Sequence, residues 1–279
     1  MAPLAYAAIA LEIAICLAGA WVLWRHALGP RWRAERAPRL GEWRLPALDF
    51  ACYASSGFVG AVALSAIAGL AVRQMRLGQD AATVAGSAVM EGGFLLGIAG
   101  FHLLYAARVR RPLAAGGPDA ALALRSGVAT FLAAMPVVAA ISYGWEYLLV
   151  RLGLPDEKQE LVAILEGTRS GVLRLCFIAV AVILVPLTEE LVFRGGLFRF
   201  LRTRFPRWAA IAATSVLFGA LHVSWGDHLG GLPSLVPLIV LAAIFCVAYE
   251  RTGEIGTTVV AHALFNLNMI MLVLAGVGS

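Results

Sequence analysis

Long apolar runs, broken by short polar stretches that carry arginines, pattern the whole chain. Eight runs, at about 4–28, 47–72, 83–107, 126–150, 171–190, 207–225, 232–250 and 255–277, are long enough to cross roughly 30 Å of hydrocarbon as helices. In lipid a backbone must satisfy its own hydrogen bonds, so runs of this length predict helices. The pattern predicts an all-α, polytopic membrane protein of about eight transmembrane helices, with no soluble domain and no repeat at a fixed period. The longest polar stretch, 151–170, has room for a short surface helix.

Composition narrows the class. The chain is 61% hydrophobic, 14% charged and has a mean hydropathy of +0.83, which excludes an ordinary soluble domain. Its net charge of +5 comes mostly from arginines between the runs, a topology signal and not a nucleic-acid surface. The first run has no basic leading region and exceeds a signal peptide's core, so it is expected to stay as a membrane helix. Cys16, Cys52, Cys176 and Cys246 lie far apart with no metal-type spacing, and read as small packing residues. Of 22 Lys and Arg, 16 fall in the segments joining runs 1–2, 3–4, 5–6 and 7–8, and 6 in the others. The positive-inside rule then puts both termini outside and the 194–207 segment in the cytoplasm. Trp21, Trp24, Trp43, Trp145, Trp208 and Trp225 mostly flank runs, as interface anchors do. The expected setting is a multi-pass integral membrane protein, of the plasma or inner membrane if bacterial. The expected partners are the lipid bilayer and a peptide or protein substrate, with no nucleic acid.

Chemistry concentrates in Thr188-Glu189-Glu190-Leu191-Val192-Phe193-Arg194-Gly195-Gly196, at the end of the fifth run. A charge at the centre of a membrane helix costs roughly 2.5–3.5 kcal/mol even on lenient scales, so two adjacent carboxylates point to a use. Glu190 and Arg194, at i and i+4, can pair along one helix face. Glu189 stands about 100° round the helix with no cation at that spacing on its own helix, so its partner comes from another one. The sixth run holds Phe218-Gly219-Ala220-Leu221-His222 and the eighth holds His262-Ala263-Leu264-Phe265-Asn266. With a turn at Phe205-Pro206, Glu189 and His222 come out level in an antiparallel pair, and His262 falls within a couple of turns of them. Glu12, Glu91, His102 and Glu146 are further polar groups in apolar runs. A helix-to-helix hydrogen bond or an interfacial position accounts for Glu12, His102 and Glu146, while Glu91, beside Gly92-Gly93, is an open candidate.

Such a cluster suits hydrolysis. A carboxylate in a low-dielectric pocket is the stronger base, so Glu189 with His222 can hold and deprotonate a water. His262 and Asn266 can donate to the oxyanion that forms when that water attacks a peptide carbonyl. Alternatively, His222, His262 and a glutamate can ligate zinc. No cofactor is favoured, because Asn266 is a poor zinc ligand and Glu189 cannot both ligate and serve as free base. Other membrane-protease designs fit poorly. There is no HExxH. Trp225-Gly226-Asp227 lacks the first Gly of GxGD, and Ala54-Ser55-Ser56-Gly57 lacks the leading Gly of GxSG.

Glu189-Glu190-x-x-x-Arg194, Phe218-x-x-x-His222 and His262-x-x-x-Asn266 together resemble the EExxxR, FxxxH and HxxxN/D motifs of the CPBP family. That family comprises the CAAX prenyl endopeptidases and the bacteriocin-processing and immunity proteins often called Abi. The resemblance covers about 171–270 and implies an eight-helix intramembrane endopeptidase of glutamate or metallo type. It implies that Glu189 and His222 activate water, that His262 and Asn266 complete the site, and that Glu190, Arg194 and Phe218 support it. Residues 126–279 form the CPBP-like catalytic core on this reading, and 1–125 are transmembrane helices without a recognised motif. Two other functions compete. One is a non-proteolytic membrane scaffold or immunity protein of the same fold. The other is a proton-coupled transporter, which would show interrupted segments in matching positions of both halves; Pro186 interrupts the fifth run.

Overall fold

A computed structural model describes residues 2–27, 40, 45–75, 77–109, 119–154, 168, 170–223 and 231–277. Trp43, Trp225 and the surface helix expected within 151–170 fall wholly or largely outside these residues. The described chain is helical without strands: α1 (Ala2–Val22, extended by the wide turn Leu23–Ala27), α2 (Ala47–Met75), α3 (Gln79–Val109), α4 (Ala120–Leu152), α5 (Gly171–Arg202), α6 (Arg207–Ala220), α7 (Leu232–Thr252) and α8 (Ile255–Leu274). Among the described residues seven helices are long and apolar enough to cross a membrane. Large apolar side chains such as Leu17, Val62, Leu103, Leu104 and Val172 stand exposed on them. In water that would be costly; in a bilayer it is the contact surface. The protein is a multi-pass, all-α integral membrane protein.

Two expectations change. The sixth run is not a full span: α6 has 14 residues, about 21 Å at 1.5 Å per residue. The hydropathy of 207–225 continues past Ala220, but the backbone turns there, with the Leu221 and His222 amides donating back to Leu217 and Gly219. The fifth helix, conversely, runs on to Arg202, well past the expected boundary near residue 190. Arg194 therefore lies in a helix interior and not in a cytoplasmic loop; it is fully buried, and the basic asymmetry between segments survives without it.

Contacts divide the chain into two compact units: 1–41, 119–167 and 204–279 form one, and 42–118 with 168–203 the other. In the first, α4 is the central helix, packed by α1, α7 and α8, with α6 on α7. Phe131, Met135, Val138, Leu241, Phe245 and Ala261 fill its core. Its polar groups are matched to partners. The Trp145 indole donates to the Leu232 carbonyl, and Asn268 Nδ2 of α8 donates to Glu12 Oε2 of α1 at 2.9 Å. Arg207, at the start of α6, pairs with Glu250 near the end of α7. Glu12 thus makes the expected helix-to-helix bond, while Glu146 is exposed.

In the second unit α2 and α3 form the most extensive helix pair, and α5 packs on both. Their seam is made of glycine. A Cβ on Gly60 would fall 2.2 Å from the Gly93 carbonyl oxygen, and one on Gly97 would fall 2.0 Å from the Ser56 carbonyl oxygen. Only backbones without side chains approach this closely, the small-residue device of membrane helix pairs. Tyr53 of α2 reaches α5, where its hydroxyl donates to the Leu191 carbonyl at 2.6 Å. His102 packs edge-on against Tyr53 and Phe101.

Candidate active site

The motif residues fall into two groups, one in each unit. The acidic group is on α5, whose winding is uneven. The ordinary turn and a half Val185–Glu190 lies between two wide stretches, Val180–Leu184 and Leu191–Phe198, with backbone bonds one residue longer. Wide turns inside α-helices recur at functional sites. Pro186, which has no N–H to donate, stands at the junction of the first wide stretch and the ordinary one. Glu190 and Arg194 meet across the second junction at 2.8 Å, both with 0% exposure. The charges cancel within one helix face, so the pair can be buried where either alone would be prohibitive.

Glu189 is only half-buried and points elsewhere on the helix. Glu91 of α3, itself buried, faces Thr188 and lies within electrostatic reach of Glu189. The second unit therefore holds two carboxylate settings: Glu190 locked to a guanidinium, and Glu189 near a second acid.

The histidine group is in the first unit. Phe218, 1% exposed, sits in the last turn of α6. His222 follows just past the helix end, and its ring centroid lies 4.6 Å from that of Phe218. Its Nδ1 is 2.7 Å from the Phe218 carbonyl oxygen. A carbonyl only accepts, so Nδ1 carries the hydrogen, and the basic atom of the ring's neutral form is then Nε2. His262, buried on α8, packs edge-on against the same Phe218 at 6.1 Å and lies tilted against Phe245 of α7 at 5.7 Å. The two motif histidines thus share one aromatic wall. Asn266 follows His262 by one turn and is half-buried. Among the described residues, neither unit by itself gathers three His, Cys, Asp or Glu as metal ligands.

Gly231 completes this side. It has φ +80°, and a Cβ there would fall 2.6 Å from the His222 carbonyl oxygen. Both the left-handed backbone and the close approach require glycine, so the chain can re-enter α7 directly against His222. Sequence reasoning missed Gly231 and Phe245. The Gly230-Gly231 pair ahead of Pro233 is a turn signal that marks the first; an aromatic within an apolar run gives no signal for the second.

Residues 171–268 match the family described as type II CAAX prenyl endopeptidase Rce1-like. The chain is also 27% identical over 131 residues to an uncharacterized protein of Mycoplasma capricolum subsp. capricolum. That likeness covers 46% of this chain and 37% of the relative, so it spans well under half the relative's length. No solved structure matches. The family match supports a CAAX-type intramembrane protease as the kind of function. The three motifs with their carboxylates, histidines and asparagine all lie inside residues 171–268, the stretch of this membrane protein that is similar to the type II CAAX prenyl endopeptidase Rce1-like family.

Proposed function

We propose that the protein is an intramembrane endopeptidase that hydrolyses a peptide bond in a peptide or protein tail, in the cytoplasmic half of the bilayer. Glu189 acts as the general base that deprotonates the attacking water, and His222 acts with it through Nε2. His262 and Asn266 donate to the oxyanion of the tetrahedral intermediate, where fixed donors in a dry site are worth most. Protonated Glu189 then returns the proton to the leaving amine. Glu190, Arg194 and Phe218 hold these groups in place. The observation that carries the reading is the shared wall: histidines from two separate motifs, far apart in sequence, pack on one Phe218 ring. Packing alone gives no reason for two imidazoles at one buried phenylalanine, in a stretch that also carries paired carboxylates and the family match.

The water is activated here without a resident metal. His222 and His262 are the groups that would hold zinc, and zinc would supply Lewis-acid activation of the same water. The donor set suits the metal-free form better, since Asn266 is an oxyanion donor by chemistry and Glu189 is needed free as base.

The test uses the purified full-length protein and an internally quenched prenylated CAAX-type peptide. Glu189→Ala and His222→Ala each abolish cleavage while expression and thermal stability hold. Exhaustive chelation leaves most activity, and bound zinc stays well below one equivalent. Full cleavage by Glu189→Ala sinks the mechanism. Stoichiometric zinc that disappears in both His222→Ala and His262→Ala replaces it with the metallo form.

A further inference from the structure

Helix α1 lies outside the family-matched stretch and carries none of its motifs, yet it holds a part-buried polar contact to the helix that bears His262 and Asn266. Glu12 is the only acidic residue in α1, and its carboxylate accepts from Asn268 Nδ2 at 2.9 Å. The face that carries Glu12 is one continuous stripe at helical spacing: Glu12, Ile15, Cys16 and Gly19. Ile15 and Cys16 pack on the core shared by α4, α7 and α8. Gly19 is pressed so closely on α4 that a Cβ there would fall 2.0 Å from the Leu132 carbonyl oxygen. Much of the rest of α1, including Leu4, Tyr6, Ile13 and Leu17, is exposed to lipid. The stripe therefore fixes α1 against α4 at Gly19, and α1 in turn grips α8 at Asn268.

The grip is on a different face of α8 from the chemistry. At about 100° per residue, Asn268 stands about 200° round the helix from Asn266 and about 240° from His262. Rotation or sliding of α8 that redirected His262 and Asn266 must break the Glu12–Asn268 bond. In hydrocarbon no water replaces it, so the freed carboxylate and amide would be left without partners. Apolar packing alone tolerates small rotations at modest cost; a single directional bond does not.

We infer that Glu12 is a positioning residue, which through Asn268 fixes the rotation of α8 and so the direction of His262 and Asn266. The inference rests on the reading of those two residues as parts of the site. Its test has two readouts in the full-length protein. The first is kcat and KM on the quenched CAAX-type peptide. The second needs no substrate: the rate at which diethyl pyrocarbonate modifies His262, followed by mass spectrometry.

Glu12→Leu lowers kcat roughly tenfold to a hundredfold at little changed KM, the scale expected when a catalytic group is misplaced by up to about 1 Å. It also makes His262 several-fold faster to modify, as the buried ring turns outward. Glu12→Gln keeps an oxygen acceptor for Asn268 and stays near the wild type in both readouts. Should Glu12→Leu fail to accumulate, a swap asks the same question. Asn268→Asp alone sets two carboxylates face to face and loses activity, and Glu12→Gln with Asn268→Asp rebuilds the bond with roles reversed and recovers it. Wild-type kcat and an unchanged His262 rate in Glu12→Leu, or no recovery in the swap, overturn the inference. A Glu189→Ala protein that still cleaves sinks the hydrolytic reading and leaves the His262 result standing.

Discussion

The acidic group and the histidine group, one in each unit, are held by different physics. On α5 the anchor is charge: Glu190 and Arg194 cancel each other inside one helix, fully buried, and leave Glu189 the less enclosed of the two carboxylates. On α6 and α8 the anchor is shape. His222 is set by a carbonyl, a phenylalanine ring and a glycine turn, and His262 by two aromatic rings. A charge anchor is strong while both members are present and fails outright when one is lost. A shape anchor degrades by steps, as each contact is trimmed.

The sharpest way to break this contrast is at Arg194. Arg194→Ala removes the buried countercharge paired with Glu190 and is expected to cost about 3–5 kcal/mol, seen as lost yield and a lower melting temperature in detergent. Glu190→Gln should do the same from the other side. Normal stability with complete loss of turnover would instead make Glu190 a reacting group and end the division of labour between the two glutamates.

Next in size is Gly231→Ala, which places a Cβ against the His222 carbonyl in a backbone that favours glycine. A cost of about 1–3 kcal/mol is expected. Cleavage should fall further than stability, because the strain is released by displacing His222. Cleavage that falls only in step with stability would show that the turn is packing and not alignment.

A smaller effect is expected at Tyr53→Phe, which removes the bond to the Leu191 carbonyl at the start of the second wide stretch. The loss should be about 1 kcal/mol by thermal unfolding, with cleavage per folded molecule nearly unchanged. A large catalytic loss would mean that the acidic side also depends on shape. The smallest perturbation tests only which compartment the two sides serve. Arg204→Cys, exposed beyond α5, in a background without native cysteines should label in intact cells with permeant reagents alone. Labelling by an impermeant reagent from outside would invert the topology.

Most of the fold was legible because hydropathy and hydrogen-bond demand act on whole runs. Seven runs became spans, six of them close to their expected bounds. The miss at 207–225 has a local cause, since apolar composition continues through Leu221 and Val223 while the backbone has already turned. Helix α5 was read too short because Arg194 counts as a loop charge until its pairing with Glu190 is known to bury it. The same spacing that announced the pair could have extended the helix. In the site, Glu190–Arg194 was readable from i, i+4 alone. The common Phe218 wall for His222 and His262 was not, because it depends on tertiary packing between helices. Glu12 shows the converse: the sequence identified a costly polar group and the class of bond it makes, but had no means of naming Asn268.

The glycine seam between α2 and α3 has a consequence for how variation in this protein would be distributed. Gly60, Gly93 and Gly97 touch no reacting group, yet each sits where even one added methyl group meets main-chain atoms of the opposite helix. Main-chain atoms cannot swing aside as a side chain does. A saturation library scored for cleavage would therefore return these positions as intolerant as the glutamates and histidines. A map of intolerance read without the structure would enlarge the active site by a false lobe in the N-terminal half. Scoring the same library for surface abundance separates the two sets, since the glycine variants vanish from the membrane while Glu189 and His222 variants remain.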